Sequence, residues 1–412
     1  MTTAVVDAPT AAAPAPAAAI ASPRAERLAS IDAYRGFVML LMLGEVLRFC
    51  EVAAARAGSV VWAFLCHHQS HVEWTYGSLH DLIQPSFSFL VGVALPFSLA
   101  ARGLAGQSRA RMIAHAFWRA ALLAALGIAL RSIGRPQTYY TFEDTLTQIG
   151  LGYGFLFLLA LRPVRDQWIA LAAILAGYWL AFVLHPLPAP GFDYAAVGVP
   201  AGWPHNFSGF EAHWNKNSNL AWAFDTWFLN LFPREQPFLF NGGGYATLSF
   251  IPTLGTMILG LLAGGVLRRP VPPSARVRWL VAAGVIGLTG GWLLGALGIC
   301  PVVKRIWTPS FTVWSGGWCF LLLAGFYHVI DVRGWRRGAF PLVVVGTNSI
   351  AAYCMEWLFM HSIVDALQTH LGDGFFRVFG DAYFPFLMGL AALTVVWLIL
   401  YWMYRRRIFL RI

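Results

Sequence analysis

The chain has 412 residues, 58% of them hydrophobic and only 12% charged, with a mean hydropathy of +0.61. Soluble domains carry roughly 25% charged residues, so this composition excludes a water-soluble globular protein. The net charge of +10 does not point to nucleic acid, because the basic residues sit in short clusters between apolar runs.

The apolar residues gather in runs of about 18 to 24, each long enough to cross a hydrocarbon layer of roughly 30 Å at 1.5 Å per residue. Backbone amides in lipid must be satisfied within the segment, so these runs should be helices. In chain order, residues 1–27 are Ala/Pro-rich and read as a disordered cytoplasmic tail. Ten spans follow, near residues 30–50, 79–101, 111–132, 143–161, 167–185, 245–267, 277–298, 310–330, 340–361 and 383–404.

Basic residues crowd alternate ends of these spans. One set includes Arg24, Arg27 and Arg35, then Arg102, Arg109 and Arg111, Arg162 and Arg165, Arg268 and Arg269, Arg336 and Arg337, and Arg405 to Arg407. The opposite ends hold only isolated cases such as Arg48, Arg135, Lys216 and Lys304. By the positive-inside rule, both termini are cytoplasmic and the long loop 186–244 faces outward. The expected fold is therefore an all-α integral membrane protein of about ten transmembrane helices, with one transmembrane domain over residues 28–412 in the cell membrane. The outward loop is rich in Trp203, His205, Asn206, His213, Trp214, Asn215 and Asn217. That composition suits either stacking on a sugar-like ligand or an interfacial aromatic belt with turns.

Five cysteines (Cys50, Cys66, Cys300, Cys319, Cys354) form no CxxC pair and read as packing residues, with a Cys50–Cys66 disulfide as the alternative. Ionisable residues inside a span are costly and point to cavities. Asp32 and Arg35 lie one turn apart at the inner end of the first span, and Glu45 and Arg48 one turn apart near its outer end. They are either two interfacial ion pairs or the two mouths of a polar passage. In the ninth span, Asn348 and Glu356 interrupt an apolar helix and fall within a quarter-turn of one face. Asn348 could instead bond a neighbouring helix. Gly242-Gly243-Gly244 lacks the Lys-Ser/Thr of a phosphate loop and marks a loop or cavity edge.

The segment His67-His68-Gln69-Ser70-His71-Val72-Glu73-Trp74 is followed by His80-Asp81-Leu82-Ile83-Gln84-Pro85. Its spacing fits no familiar zinc pattern, so no metal is expected. A histidine with a carboxylate to orient it is instead the minimal pair for general-base or covalent acyl-transfer chemistry. Asp81 could also serve as a helix N-cap.

Together these segments resemble the heparan-alpha-glucosaminide N-acetyltransferase family, membrane enzymes that move acetyl from acetyl-CoA to a terminal glucosamine. The likeness runs from about residue 27 to the end. It rests on Ser30-Ile31-Asp32-Ala33-Tyr34-Arg35-Gly36, on His71-Val72-Glu73-Trp74 with Asp81 ten residues after His71, and on Ile306-Trp307-Thr308-Pro309-Ser310. Asp331-Val332-Arg333-Gly334, Gly346-Thr347-Asn348-Ser349-Ile350 and the basic-aromatic ending Arg405 to Ile412 complete it. The resemblance implies His71 as catalytic residue with Asp81 beside it. Asp32, Arg35, Glu45, Trp74, Asn348 and Glu356 are then expected at the substrate or donor site. It implies acetyl-CoA as acyl donor, entering from the cytoplasm, and an amino-sugar or other glycan as acceptor. Partners would be acyl-CoA, this acceptor and membrane lipids, and the resemblance is compatible with a homodimer. The chain departs from the pattern at Glu45 and Glu356, and the family's large lumenal domain ahead of the first span has no counterpart, so the acceptor's identity does not carry over. The rival reading is a transporter or channel for sugars or lipids, against which the two halves of the chain show no internal repeat.

Overall fold

The computed structural model describes residues 28–410, and the expected tail 1–27 lies outside the described residues. Those residues form helices α1 (Ala29–Leu43), α2 (Phe49–Ala55), α3 (Val60–His68), α4 (Ile83–Leu104), α5 (Arg109–Arg131), α6 (Thr145–Ala160), α7 (Val164–Leu184) and α8 (Leu220–Phe228). They continue as α9 (Phe250–Leu267), α10 (Pro273–Ala296), α11 (Pro309–Phe326), α12 (Arg336–Thr347), α13 (Ser349–Leu358), α14 (Met360–Phe376) and α15 (Phe384–Arg405). Among the described residues there is no β-strand, only isolated bridges from Thr75 and Tyr76 to Val303.

Seven helices are long and apolar enough to cross a membrane, or eight if α12 and α13 count as one broken span. The protein is thus a multi-pass membrane protein by helix length and composition. The ten segments expected from the sequence all coincide with helices. Two fall short of the roughly 20 residues a crossing needs: α1 has 15 residues and α6 has 16. The first expected span, 30–50, is not continuous. It leaves the α-helix at Leu43, passes through a 3-10 turn over Gly44–Leu47, and breaks at Arg48, whose φ of 50° is left-handed.

Close helix contacts are made by small residues, as expected where lipid offers no hydrophobic drive for association. A Cβ on Gly346 of α12 would overlap the carbonyl oxygen of Asp32 in α1, and one on Gly36 would overlap that of Leu342. The same holds between α4 and α9, where Gly260 packs on the carbonyl of Phe89. The start of α1 is held by a distant carboxylate: Asp331 accepts from the backbone N–H of Ala29 at 3.2 Å and of Ser30 at 3.1 Å. This satisfies two amides that no helix can satisfy for itself and sets negative charge at the positive end of the helix dipole. It also gives the Asp331-Val332-Arg333-Gly334 motif a structural role.

The expected ninth span is broken. α12 and α13 meet at a bend of 65° centred on Asn348. There the side chain of Asn348 donates to the carbonyl of Ile408 at 2.9 Å and accepts from the N–H of Leu410 at 3.2 Å. Asn348 therefore fastens the end of the chain to the break. The quarter-turn relation to Glu356, which assumed one straight helix, does not apply.

Cys50 and Cys66 form a disulfide, with S–S 2.07 Å, joining α2 to α3. The packing reading fails for these two cysteines, while Cys300 and Cys319 are free and buried. The long loop 186–244 is a small folded unit. Asn215 brackets Phe207 by accepting from its N–H at 2.7 Å and donating to its carbonyl at 2.9 Å, and Asn219 accepts from Trp222 N–H at 3.0 Å to cap α8. Asn217 donates to the carbonyls of Val197 and Asn241, and Trp214 is buried against Phe182. Much of the composition that suggested sugar binding therefore holds the loop together.

The glycine contact yields a test. Gly346→Val forces a side chain against the α1 backbone, and overpacking of this kind costs about 3 kcal/mol or more. The variant should lose most of its monodisperse fraction on size-exclusion chromatography in detergent, whereas Gly265→Val, where a Cβ meets open space, should not.

Candidate active site

The loop between α3 and α4 carries His71, and its shape is set by one buried carboxylate. Asp81 lies in a 3-10 turn, His80–Leu82, just before α4. Its Oδ2 accepts from the N–H of Val72 at 3.1 Å and of Ser78 at 3.0 Å. Its Oδ1 lies 2.7 Å from His71 Nδ1 and 2.9 Å from Lys304 Nζ. The N-cap alternative does not hold, because Leu82 precedes α4 and no side chain caps it. Asp81 instead closes the loop on itself.

Lys304 was not singled out from the sequence, where it counted as an isolated basic residue. It is buried, with a side chain 5% exposed beside the 1% of Asp81. Its position follows from the turn before α11. Thr308 Oγ accepts from Val303 N–H at 2.9 Å and donates to Pro301 carbonyl at 2.8 Å, and Trp307 sits at φ 49° with its indole donating to Thr256 Oγ1 at 3.1 Å. The Ile306-Trp307-Thr308-Pro309-Ser310 motif thus builds the turn that presents Lys304. The same segment grips the His71 loop from outside: Tyr76 N–H donates to Val302 at 2.7 Å and Arg305 to the carbonyl of Val72 at 3.0 Å. The available signal was that motif, two residues downstream of the lysine.

Lys304 Nζ also lies 3.1 Å from His71 Nδ1. Both contacts at Nδ1 cannot be hydrogen bonds in one tautomer. A bare nitrogen lone pair at 2.7 Å from a carboxylate oxygen would be repelled, so Nδ1 carries the hydrogen and donates to Asp81. The ammonium then donates to Asp81 and stands beside the ring. This leaves Nε2 of His71 with the free lone pair. Burial, followed by the nearby ammonium of Lys304, holds the pKa of His71 below its usual 6.5 against the opposing pull of Asp81. A neutral imidazole at physiological pH, with its second nitrogen oriented by a carboxylate, is a competent base or nucleophile.

His71 faces a cavity of about 590 Å³ lined by Met42, Glu45, His80, Gln84, Arg131, Glu143, Asn241, Gly243, Tyr245, Lys304, Glu356 and Trp357 among others. Glu45 and Glu356 are therefore brought together with His71 and Lys304. The cavity-edge reading of the glycine run fits Gly243. Contrary to the ion-pair reading, Glu45 does not pair with Arg48: it accepts from His80 Nε2 at 2.8 Å, while Arg48 pairs with Glu51 at 3.3 Å. Glu356 has one buried oxygen, Oε2, without a hydrogen-bond partner.

A second cavity, of about 610 Å³, lies toward the Arg-rich end and is lined by Arg35, Ser98, Arg102, His115, Arg119, Tyr153, Gly346 and Tyr353 among others. The two cavities share Thr145 and Tyr353. Along α4 they reach from Gln84 to Arg102, which at 1.5 Å per residue is roughly 27 Å and close to a bilayer core. Arg35 lies in this second cavity and pairs with Asp32 at 3.3 Å. Arg119 sits with its guanidinium 5.1 Å from the ring centre of Tyr153 and its Nε without a partner. A third cavity, of about 540 Å³, adjoins the first at Glu45 and Glu356 and adds Glu51, His361 and Asp365.

Two expected site residues lie elsewhere. Asn348 is fully buried at the α12–α13 bend, held by the chain end. Trp74 is fully buried between Gly244 and Trp203 and packs the 186–244 unit. Of the neighbouring histidines, His68 accepts from Leu79 N–H at 3.3 Å and so supports the loop. Among the described residues no group of three or more His, Cys, Asp or Glu is arranged to hold a metal ion.

Fold and site together give a helical, multi-pass membrane protein with a carboxylate-oriented histidine in a cavity, an arrangement chemically able to activate a nucleophile. The chain is 25% identical to the human protein named heparan-alpha-glucosaminide N-acetyltransferase, over 94% of this chain and 60% of that protein. It is 22% identical to the mouse protein of the same name, over 80% of this chain and 53% of that one. No protein-family model matches the chain. The resemblance first read from short motifs thus extends over most of the chain, which is similar to the heparan-alpha-glucosaminide N-acetyltransferases and spans little more than half of their length.

The buried pair at the centre is open to test. Lys304→Met leaves the Asp81 carboxylate buried without its ammonium, a loss on the order of 3 kcal/mol. Thermal unfolding in detergent should show the drop, and Lys304→Met combined with Asp81→Asn should lose much less than the two single losses added.

Proposed function

We propose that the protein is a membrane-bound acyltransferase that moves acetyl, or another short acyl group, from acyl-CoA to an amino-sugar or other glycan acceptor on the opposite face of the membrane. The observation that carries this reading is His71, oriented through Nδ1 by Asp81 at 2.7 Å and opening into a cavity that meets an arginine-lined one.

A thioester is already activated, so the protein has to exclude water, align the two substrates and handle one proton. Arg35, Arg102, Arg119 and His115 would hold the phosphates of the donor, for which guanidinium forks are suited. The thioester end would then lie past Thr145 and Tyr353, within reach of His71 Nε2. His71 acts either as base toward the acceptor or as carrier of the acyl group. In the second case the Lys304 ammonium disfavours positive charge on an acyl-imidazolium and so speeds its breakdown. The acceptor would approach by the acidic side, where Glu45, Glu356 and Asp365 favour a cationic amine and Arg48 is already paired with Glu51.

Direction follows from the arginine distribution. In this reading there are ten spans, with α1, α6 and the bent α12–α13 pair included, and both termini are cytoplasmic. The outer unit at 186–244 then lies outside, next to a Cys50–Cys66 disulfide that suits an oxidising compartment. A single cysteine at Glu235, on a background without reactive cysteines, should label with an impermeant maleimide in intact cells, and one at Arg336 should not. The opposite pattern would reverse the proposed direction of transfer.

The activity itself is tested with acetyl-CoA as donor and D-glucosamine as probe acceptor. His71→Ala should lower the rate by about 10² to 10⁴, while His67→Ala, an exposed histidine outside the cavity, should retain it. Because the pKa of His71 lies below 6.5, its base form persists into mildly acidic solution. The acidic limb of kcat/KM should therefore fall at a pH below 6.5, and a limb well above that value would assign the base to another group.

A further inference from the structure

Beside His71 lies a second histidine that the reading above leaves without a task. His80 is buried, 4% exposed, yet it contributes to the wall of the same cavity. Its ring centre is 4.5 Å from that of His71, with the planes inclined at 60°. Its Nε2 lies 2.8 Å from Glu45 Oε1, and Glu45 itself is 54% exposed, open to both the His71 cavity and the acidic one. The site thus holds two imidazole–carboxylate pairs side by side, His71 with Asp81 and His80 with Glu45. A buried histidine set against a carboxylate at the edge of a reaction cavity is more than packing needs, since an apolar side chain would fill the same space without desolvating a polar ring.

Resting on the acyl-transfer reading, we propose that His80, clamped by Glu45, is the proton-transferring residue of this site while His71 carries the acyl group. The two tasks conflict on a single ring, because an acylated Nε2 has no lone pair with which to take a proton. In the first half-reaction, His71 Nε2 adds to the thioester carbonyl. The C–N bond forms, the C–S bond breaks, and the departing thiolate takes a proton from His80, which enters the cycle as an imidazolium paired with Glu45 and leaves this step neutral, giving free CoA and acyl-His71. In the second, the acceptor attacks the acyl carbon, the C–N bond to His71 breaks, and the acceptor's proton passes to His80. The sum is acyl-CoA plus acceptor giving acyl-acceptor plus CoA, with both histidines restored. Glu45 stabilises the positive charge that His80 gains on taking the proton, as a carboxylate does in other histidine-based sites.

The test is isotope exchange between tritiated CoA and unlabelled acetyl-CoA by the purified full chain without acceptor, alongside transfer to D-glucosamine. Wild type should exchange label. His80→Ala should slow exchange by about 10² to 10³, and added imidazole, which can enter the space left in the cavity wall, should restore much of it. A merely structural role would give no such rescue. Glu45→Gln, a substitution at a half-exposed position that keeps the hydrogen bond but removes the charge, should slow exchange by about tenfold. Exchange at the wild-type rate in His80→Ala, or a loss that imidazole does not restore, would overturn the inference. So would a wild type that acetylates glucosamine without exchanging label, since His71 would then carry no acyl group. A wild type that does neither removes the acyl-transfer reading itself, and the inference with it.

Discussion

The arrangement around His71 depends on one carboxylate placed where water cannot reach it. Asp81 is fixed by two backbone amides, one from each side of the loop, and by the Lys304 ammonium. Burying a carboxylate is expensive unless it is paired and hydrogen-bonded, and here every bond that makes burial tolerable also shapes the loop. The remaining oxygen capacity is spent on His71, which fixes the tautomer and aims Nε2 at the cavity. Ion pair, loop and the orientation of the His71 ring are thus one structure, which explains why the segment before α11 must reach across to the segment before α4.

The cavities extend this logic to the whole bundle. Residues on α1, α4, α5 and α13 line the arginine-rich cavity at one end and the His71 cavity at the other. Charge differs along the path, from the arginines of one cavity past the shared Thr145 and Tyr353 to a cavity lined by Arg131 and Lys304 together with Glu45, Glu143 and Glu356. A transporter would need that path to alternate between two open states. The loop at His71 is instead pinned by Asp81.

How much of this was legible in the sequence varies with the range of the interaction. The helices were legible, because each is written in its own local hydropathy. So was the His71–Asp81 pair, which lies within one short segment. Lys304 was not, since nothing local says that a lysine 223 positions away will be buried against Asp81. Glu45 was correctly drawn to the cavity but given the wrong partner. The i, i+3 rule that paired it with Arg48 assumes a continuous helix, and the chain turns left-handed at Arg48. Asn348 misled for the same reason: its position on a helical face lost meaning once the helix broke at that residue. Trp74 sits in a motif yet serves packing, which a motif alone cannot distinguish from ligand contact.

The contact between the two ends of the chain bears on biogenesis. The first helix has its leading amides satisfied by Asp331, 302 positions downstream, and its tightest packing surface is supplied by α12. During synthesis, α1 is therefore threaded into the bilayer long before its partners emerge from the ribosome. In that interval its buried Asp32 and its bare amino end must be sheltered by the insertion machinery or by lipid headgroups. The break at Asn348 is completed later still, because the atoms that hold it belong to Ile408 and Leu410.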